Sequence, residues 1–255
     1  MTTLTAGHPD SLHVQIRHVP TSAPLQWLDQ AWHDLRQIGA PGLAHGALIA
    51  ILGAVLLMLG SSHFYFIAAA VSGYLLVGPV MTTGLCELAR RRAARESLRF
   101  DDSLQGMTRN PDGLLHFGAL LALVAVVWFA LAALLLRTAL SAAPPSLAVA
   151  LWGGSADLTV PQWLGFIGCG AVLAAAVFTV SVVAVPLIID RHARATEAIR
   201  ISIRATLANL PAMLVWAALI VALTAFGFLT LLVGLVVVAP LLGYATWHAY
   251  RDLIG

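Results

Sequence analysis

The chain has 255 residues, of which 60% are hydrophobic and 10% are charged. A soluble domain is closer to half apolar and a quarter charged, so this composition excludes an ordinary soluble globular protein. The net charge is only +2, and all 14 basic residues are arginine. The composition instead predicts an all-α, polytopic membrane protein in which several apolar helices form a bundle.

Residues 1–23 are polar and contain no apolar core of signal-peptide length, which predicts a flexible cytoplasmic tail. Residues 24–255 are expected to form a single integral membrane domain. Its first segment, 24–38, is predicted to be an amphipathic helix with Leu28, Ala31, Trp32, Leu35 and Ile38 on one face. This helix either lies at the membrane surface, with both Trp27 and Trp32 at headgroup depth, or packs on a neighbouring cytoplasmic helix.

Six spans are predicted along the rest of the chain, because one crossing needs about 20 apolar residues. They occupy 41–60, 64–86, 114–136, 163–189 and, as a pair turning near Gly227, 211–250. A single long broken helix is the alternative for 211–250. In the first span small residues recur every fourth position, at Gly42, Gly46, Ala50 and Ala54, and predict close contact with another helix.

The arginines predict which side of the membrane each loop occupies. With six spans, every arginine except Arg137 falls on one side, which places both termini in the cytoplasm. The main topology anchors in the two basic segments are Arg90, Arg91, Arg92, Arg95, Arg99, Arg200 and Arg204.

A threefold internal pattern supports the six-span count. Three times the chain contains, in this order, an amphipathic or polar segment that we call the lead, a proline, a span, a turn, and a second span with a proline near its end. The lead prolines are Pro41, Pro111 and Pro211, and the late prolines are Pro79, Pro186 and Pro240. We therefore predict three helical hairpins, each preceded by an interfacial helix, as repeats at about 24–92, 100–192 and 195–255.

The leads of the second and third repeats have recognisable features of their own. Asp101 and Asp102 are placed to cap the start of the second lead. In the third lead Ile199, Ile203 and Leu207 repeat at helical spacing, which predicts a second amphipathic helix.

The ionisable residues nearest to the spans cluster at their cytoplasmic ends, as His45, Glu87, His116, Asp190 and His248. One hypothesis is a polar ring that binds a metal or relays protons. The alternative, which we favour, is a set of ordinary boundary residues bonded to nearby loops, since ionisable groups at helix ends are not costly. No catalytic, cofactor-binding or metal-ligating residue is assigned, because no motif for one is present.

Three functions remain open from the residues alone. The first is a non-enzymatic membrane protein that acts as a scaffold or binds a membrane-protein partner or a second copy. The second is a small-molecule or ion transporter or channel with a hydrated path lined by Ser72, Thr82, Thr83, Thr179, Ser181 and Thr224. The third is a haem- or metal-dependent membrane protein, which would require histidines facing each other.

Partners follow from the same features. The bilayer is the first, and the cluster Arg90–Arg99 could attract anionic lipid headgroups. Nucleic acid is not expected, because the basic segment is short, lacks a binding module and also carries carboxylates.

Several runs of residues are distinctive as sequence. The C-terminal run Pro240–Leu253 reads PLLGYATWHAYRDL, and the chain also contains Ala31-Trp32-His33-Asp34-Leu35, Val77-Gly78-Pro79 and Glu87-Leu88-Ala89-Arg90-Arg91. With these runs the chain, from about Trp27 onward, resembles a bacterial inner-membrane family catalogued as domain of unknown function 2189. The resemblance implies an integral protein of a bacterial inner membrane and brings no reaction and no site residues.

Overall fold

A computed structural model of the chain describes residues 14–60, 78, 82–139 and 160–255. The helices in these ranges are α1 (Ala23–Ile38), α2 (Ala40–Gly60), α3 (82–93), α4 (Phe100–Arg109), α5 (Pro111–Ala139), α6 (Val160–Ser181), α7 (Ala184–Asp190), α8 (Ala195–Ala208), α9 (Leu210–Leu229) and α10 (Leu235–Leu253). The β-type pairing within the same ranges is a single bridge between Ile16 and Ile254. The all-α prediction is confirmed for this part of the chain.

Three stretches of the described chain are long and apolar enough to cross a membrane: Pro111–Leu131, Ile167–Asp190 and Leu210–Leu229. A fourth candidate counts Ala23–Ile38 and Ala40–Leu56 as one span that is bent by 106°. The predicted second span, 64–86, lies mostly outside the described residues. Six spans in three hairpins therefore stay a prediction.

Each predicted lead is a short helix that is followed, after one residue, by a long apolar helix. Gly39 separates α1 from α2, Asn110 separates α4 from α5, and Asn209 separates α8 from α9. Each apolar helix has proline within its first two residues, where the missing N–H would lack an intrahelical partner in any case. The order lead, one-residue join and apolar helix thus occurs three times.

Helix α1 buries most of its predicted apolar face. Ala31, Leu35 and Ile38 are buried as predicted, together with Trp27 and Asp34, mainly against α10. Trp27 meets Trp216 of α9 edge-on, with 5.9 Å between the ring centroids, an arrangement worth about 0.5–1.5 kcal/mol beyond the buried area. Because Trp27 is buried against protein, the packed alternative describes this face of α1, whereas Trp32 is 39% exposed.

Helix α8 forms where the second amphipathic helix is predicted. Its buried positions are mostly small: Ala195, Ala198, Ile201, Ser202, Ala205 and Thr206. Of the predicted apolar repeat, Ile199 and Ile203 are half-buried, and Leu207 is 63% exposed. Small residues let α8 approach α6 and α7 closely, and close packing rather than hydrophobicity drives helix association in lipid.

A buried hydroxyl bridges the break between α6 and α7. The Ser202 Oγ donates to the carbonyl of Thr179 at 2.8 Å and accepts from the Val183 N–H at 3.2 Å. In an uninterrupted helix these two backbone groups would bond to each other. A side chain from α8 thus enters the hydrogen-bond ladder of its neighbour, which is a recognised cause of a helix kink.

The small-residue ladder of α2 faces α10, as predicted. A Cβ atom added at Gly46 would overlap the carbonyl of Val236, and one added at Gly42 would overlap the hydroxyl of Tyr244. Pro240 lies inside α10 and supplies no N–H to the Val236 carbonyl one turn earlier. Ala50 and Ala54 continue this contact against Leu232, Leu235 and Val238.

The segment 211–250 forms two helices, α9 and α10, and of these only α9 is long and apolar enough to count as a candidate span among the described residues. The turn between them, 230–234, contains Leu231 and Leu232 with φ values of 55° and 70°, a conformation that costs free energy for leucine. Thr230 stabilises the turn, because its hydroxyl accepts from the Gly234 N–H at 2.9 Å and contacts the Phe226 carbonyl at 3.0 Å.

Residues 14–20, within the predicted tail, lie against the C-terminal end of the chain. The Arg17 N–H donates to the Leu253 carbonyl, and the Gly255 N–H donates to the Gln15 carbonyl, both at 2.9 Å. Asn209 accepts from the Val19 N–H at 2.9 Å and donates to the Arg17 carbonyl at 3.0 Å. This part of the tail is therefore tied to the α8–α9 join. The division at residue 23 into tail and membrane domain stays a prediction.

Candidate functional site: the polar layer at the helix ends

The carboxylate of Glu87, on α3, is the centre of an ionic cluster that we call the join network. Its side chain is fully buried and accepts from Arg90 at 2.8 and 2.9 Å and from Arg91 at 2.8 Å. Arg109, at the end of α4, lies 3.5 Å away. Arg90 also binds Glu96, and Arg91 lies 3.4 Å from Asp102. Three guanidinium groups are thereby matched by three carboxylates.

The join network determines the charge state of its carboxylates. Burial on its own raises the pKa of Glu87, but the hydrogen bonds from Arg90 and Arg91 and the charges of Arg90 and Arg109 outweigh it and hold the pKa below its usual value. The Arg90 hydrogen bond likewise lowers the pKa of Glu96. Glu87 is therefore an ionised structural group rather than a group poised to exchange protons near neutral pH.

The start of α4 is capped as the sequence predicts. Asp102 accepts from the Arg99 N–H at 3.0 Å and from the Ser97 hydroxyl at 2.8 Å. These two bonds lower the pKa of Asp102. Arg109, at the other end of the same helix, donates to the Ile189 carbonyl of α7 at 3.3 Å, so α4 connects α3 to the second repeat.

A second cluster, the Asp34 cluster, holds α1 against α3 and α10. Asp34 is 1% exposed, and its carboxylate binds the Arg92 guanidinium at 2.6 Å and the His248 Nε2 at 2.9 Å. Close by, the Trp27 Nε1 donates to the Asp252 carboxylate at 2.7 Å. These contacts join the first helix of the chain to the last one.

The remaining predicted site residues each have separate surroundings. The Tyr250 hydroxyl donates to the Asp190 carboxylate at 2.6 Å. The His116 Nδ1 contacts the Asp112 carbonyl one turn earlier at 2.7 Å. His45 is 6% exposed and lies edge-on to Phe100 at 4.9 Å between ring centroids. Its Nδ1 has no hydrogen-bond partner among the described residues.

The five predicted site residues thus occupy one end of the helices, but no hydrogen bond or ion pair within the described ranges joins any two of them. Glu87 bonds to arginines, His248 to Asp34 and Asp190 to Tyr250. No group of three or more His, Cys, Asp or Glu residues that could hold a metal ion occurs in the part of the chain that is described. The predicted site residues therefore form separate contacts and do not share one site.

The topology anchors divide into two kinds. Arg90, Arg91 and Arg92 are bonded to carboxylates inside the protein. The exposed anchors are Arg95, Arg99, Arg200 and Arg204. Arg95 adopts a left-handed conformation with φ 57° and helps to end α3, where the Glu96 N–H donates to the Arg91 carbonyl.

Sequence reasoning did not find several residues that position this layer. Asp34 lies on the predicted polar face of α1 and is buried by its ion pairs. Asn110 donates to the carbonyls of Ile188 and Ala193 at 3.2 and 2.9 Å, and Asn209 ties the tail. Asn110 stands directly before Pro111 and Asn209 two residues before Pro211, and an asparagine ahead of a proline is the signal that could have identified them as residues at helix starts.

A cavity of about 570 Å³ lies among the apolar helices. Its wall is mostly apolar, and it includes Thr82, Ser181 and Thr224 of the predicted path, together with Thr246. Thr83 and Thr179 are not part of the wall, and Ser72 lies outside the described residues. The Ser181 hydroxyl is buried and has no hydrogen-bond partner in the described ranges.

The long apolar helices, their lipid-facing exposed side chains and the charged layer at their ends define an integral membrane protein. Residues 66–190 match the sequence model of a family described as predicted integral membrane protein, domain of unknown function 2189. The resemblance drawn from the sequence is thereby confirmed over that part of the chain. The matched part begins later than Trp27 and does not include the run Pro240–Leu253. No curated protein and no solved structure matches the chain.

Proposed function

We propose that the chain is a six-span protein of a bacterial inner membrane, with three hairpins and both termini in the cytoplasm. We further propose that it acts without catalysis, as a scaffold that presents its cytoplasmic layer to a protein partner. The observation that supports this role is the bonding of the polar layer: Glu87 and Asp34 each bind two or more groups of their own chain. Such ties give a rigid surface.

The outer face of α1 is the part of this layer best suited to contact a partner. Trp32 is 39% exposed, and the Arg36 guanidinium lies 5.0 Å from the centre of its ring. Tryptophan and arginine are the residues most enriched at the energetic centres of protein interfaces. The opposite face of α1 is fixed by Trp27 and Asp34, so the outer pair is presented without a large loss of conformational freedom.

Photocrosslinking in intact membranes tests this function. A photoreactive amino acid replaces Trp32, and in a control chain it replaces Leu214, which is 62% exposed on the apolar helix α9. We expect a discrete crosslinked protein, either a partner or a second copy, from position 32, and its loss when Arg36→Ala is added. Crosslinks that are absent from position 32, or equal at both positions, would contradict the proposal.

The cavity favours a second candidate, a transporter or channel for a small molecule or ion. Thr82, Ser181 and Thr224 lie in its wall, and hydroxyl groups can replace part of the hydration of a solute. Single cysteines at 181 and 224 test this candidate. Rapid labelling of both by a small water-soluble thiol reagent would support a hydrated path, and protection of both would count against it. A haem- or metal-dependent protein stays the third alternative.

A further inference from the structure

Most of the positive charge in the segment where the arginines are most concentrated is compensated by carboxylates of the protein itself. In the basic segment of the first join, Arg90, Arg91, Arg92 and Arg109 all bind carboxylates of the same chain. Their charges are therefore compensated internally. A ligand with negative charge would gain most from arginines that are exposed and have no carboxylate beside them.

Helix α8 comes closer to this arrangement. Arg200 and Arg204 are exposed, and neither is in an ion pair with a buried carboxylate within the described ranges, although Glu197 lies one turn before Arg200 on the same helix. They are four residues apart and therefore lie on the same side of the helix. Leu207, three residues further on, is on that side as well and is 63% exposed.

Further exposed leucines follow the one-residue join, in the first turns of α9. Leu210 is 47% exposed and Leu214 is 62% exposed, and α9 is one of the helices apolar enough to cross a membrane. Two exposed arginines on α8 are thus followed along the chain by three exposed leucines. A phospholipid has the complementary order, with an anionic phosphate group at the end of apolar chains.

We propose that the outer face of α8 and the first turns of α9 bind an anionic phospholipid. Arg200 and Arg204 contact the headgroup, and Leu207, Leu210 and Leu214 contact the upper part of the acyl chains. An acidic protein or a nucleic acid fits this surface less well, because neither would cover the exposed leucines with hydrocarbon. The occupant is a lipid of the leaflet that α8 faces.

Spin-labelled lipids test the site on the full chain in phosphatidylcholine vesicles. The spectrum measures how strongly the protein immobilises labelled phosphatidylglycerol relative to labelled phosphatidylcholine. We expect a preference for phosphatidylglycerol that falls about fivefold for each arginine removed by R200Q or R204Q, since one basic residue near a membrane contributes on that scale. The R200K/R204K variant should keep most of the preference.

The matched control is R95Q/R99Q, which removes two exposed arginines and the same net charge from the first join. It should leave the preference unchanged. Equal losses in both double variants would show that selectivity follows net charge, and an unchanged preference in R200Q/R204Q would show that α8 does not bind the lipid. Either result overturns the proposal.

A second measurement does not depend on how the variants fold. Wild-type protein is crosslinked to a photoactivatable phosphatidylglycerol in the same vesicles, and the modified peptides are identified by mass spectrometry. We expect the label within 200–214. A label confined to other helices would refute the site.

Discussion

The ion pairs of Glu87 show which contacts can be predicted from local sequence spacing and which cannot. Arg90 and Arg91 follow it by three and four residues, which on any helix places them on the same side. That part of the join network follows from sequence alone. Arg109 reaches the same carboxylate from 22 positions away, and this contact requires the packing of α4 on α3, which no local pattern determines.

Replacing Glu87 by glutamine should destabilise the protein and change its response to acid. The pKa of Glu87 is lowered in the folded state, so its contribution to stability is present above the unfolded pKa and is lost as the pH falls through the folded one. Glu87→Gln also removes the shared carboxylate of the network, while Arg90 keeps Glu96 and Arg91 keeps Asp102, and this loss should cost about 1.5–3 kcal/mol at neutral pH. Thermal unfolding in detergent from pH 7 to pH 3 measures both effects.

The control for this change is Asp101→Asn, at an exposed position of α4. It should leave the midpoint at pH 7 and its acid dependence close to those of the wild type. A Glu87→Gln protein as stable as the wild type at pH 7 would show that the join network contributes little.

Asp34, unlike Glu87, has no ion-pair partner that local spacing could predict. By helical spacing it belongs with Asp29 and Gln37 on a polar side of α1, and a polar side is ordinarily assigned to water. Its partners, Arg92 and His248, come from helices 58 and 214 positions further along the chain. Hydrophobic periodicity cannot identify a buried carboxylate of this kind, because its burial depends on the positive charge of residues that are distant in sequence.

Among the elements, α2 and α10 offer the most direct test of the packing. Gly46→Ala places a methyl group on the Val236 carbonyl, which is backbone and can move little. Overpacking of this kind costs about 1–3 kcal/mol, more than the gain in helix propensity from glycine to alanine. We expect a lower unfolding midpoint in a thermal or denaturant titration.

Gly168→Ala is the matched control on α6, because a Cβ there would have no neighbour within 4 Å. It should be neutral or stabilising. A Gly46→Ala protein that is also stabilised would show that α2 and α10 lie further apart than described.

The small-residue contact of α2 was predicted from the sequence and that of α8 was not, although the same physical rule governs both. Sequence periodicity locates large apolar residues and assigns them to a core, as it would in water. In a bilayer, large apolar side chains can face lipid, and small ones mark helix contacts. Leu207 is thus exposed while Ala198 and Ala205 are fully buried, and the same rule correctly identified Gly42 and Gly46.

For the whole molecule, the six-span topology makes a prediction that reporter fusions can check. Alkaline phosphatase fused at Gly154 should be active, because that loop is expected outside the cytoplasm, and a fluorescent protein fused after Gly255 should fluoresce. The physical basis is the position of Arg137, the one arginine expected on the outer side. A cytoplasmic signal at Gly154 would contradict both the span count and the orientation.

The order of lead helix, one-residue join and apolar helix was predictable from the sequence, and the function was not. Prolines and polar leads mark these three helix starts because they break or start helices wherever they occur. The ties between units, such as Trp27 with Asp252 and Arg17 with Leu253, depend on the path of the entire chain. Because many of the charged residues bind one another, few sequence motifs remain from which a chemical function could be predicted.

The one-residue joins at Gly39, Asn110 and Asn209 have a mechanical consequence. A long loop would let an apolar helix tilt independently of the helix that precedes it. With a single residue between them, and with Asn209 bonded to Arg17 and Val19, a tilt of α9 must rotate α8 as well. A change in bilayer thickness, to which spanning helices respond by tilting, would therefore be transmitted to the layer outside the hydrocarbon as a rotation of its helices.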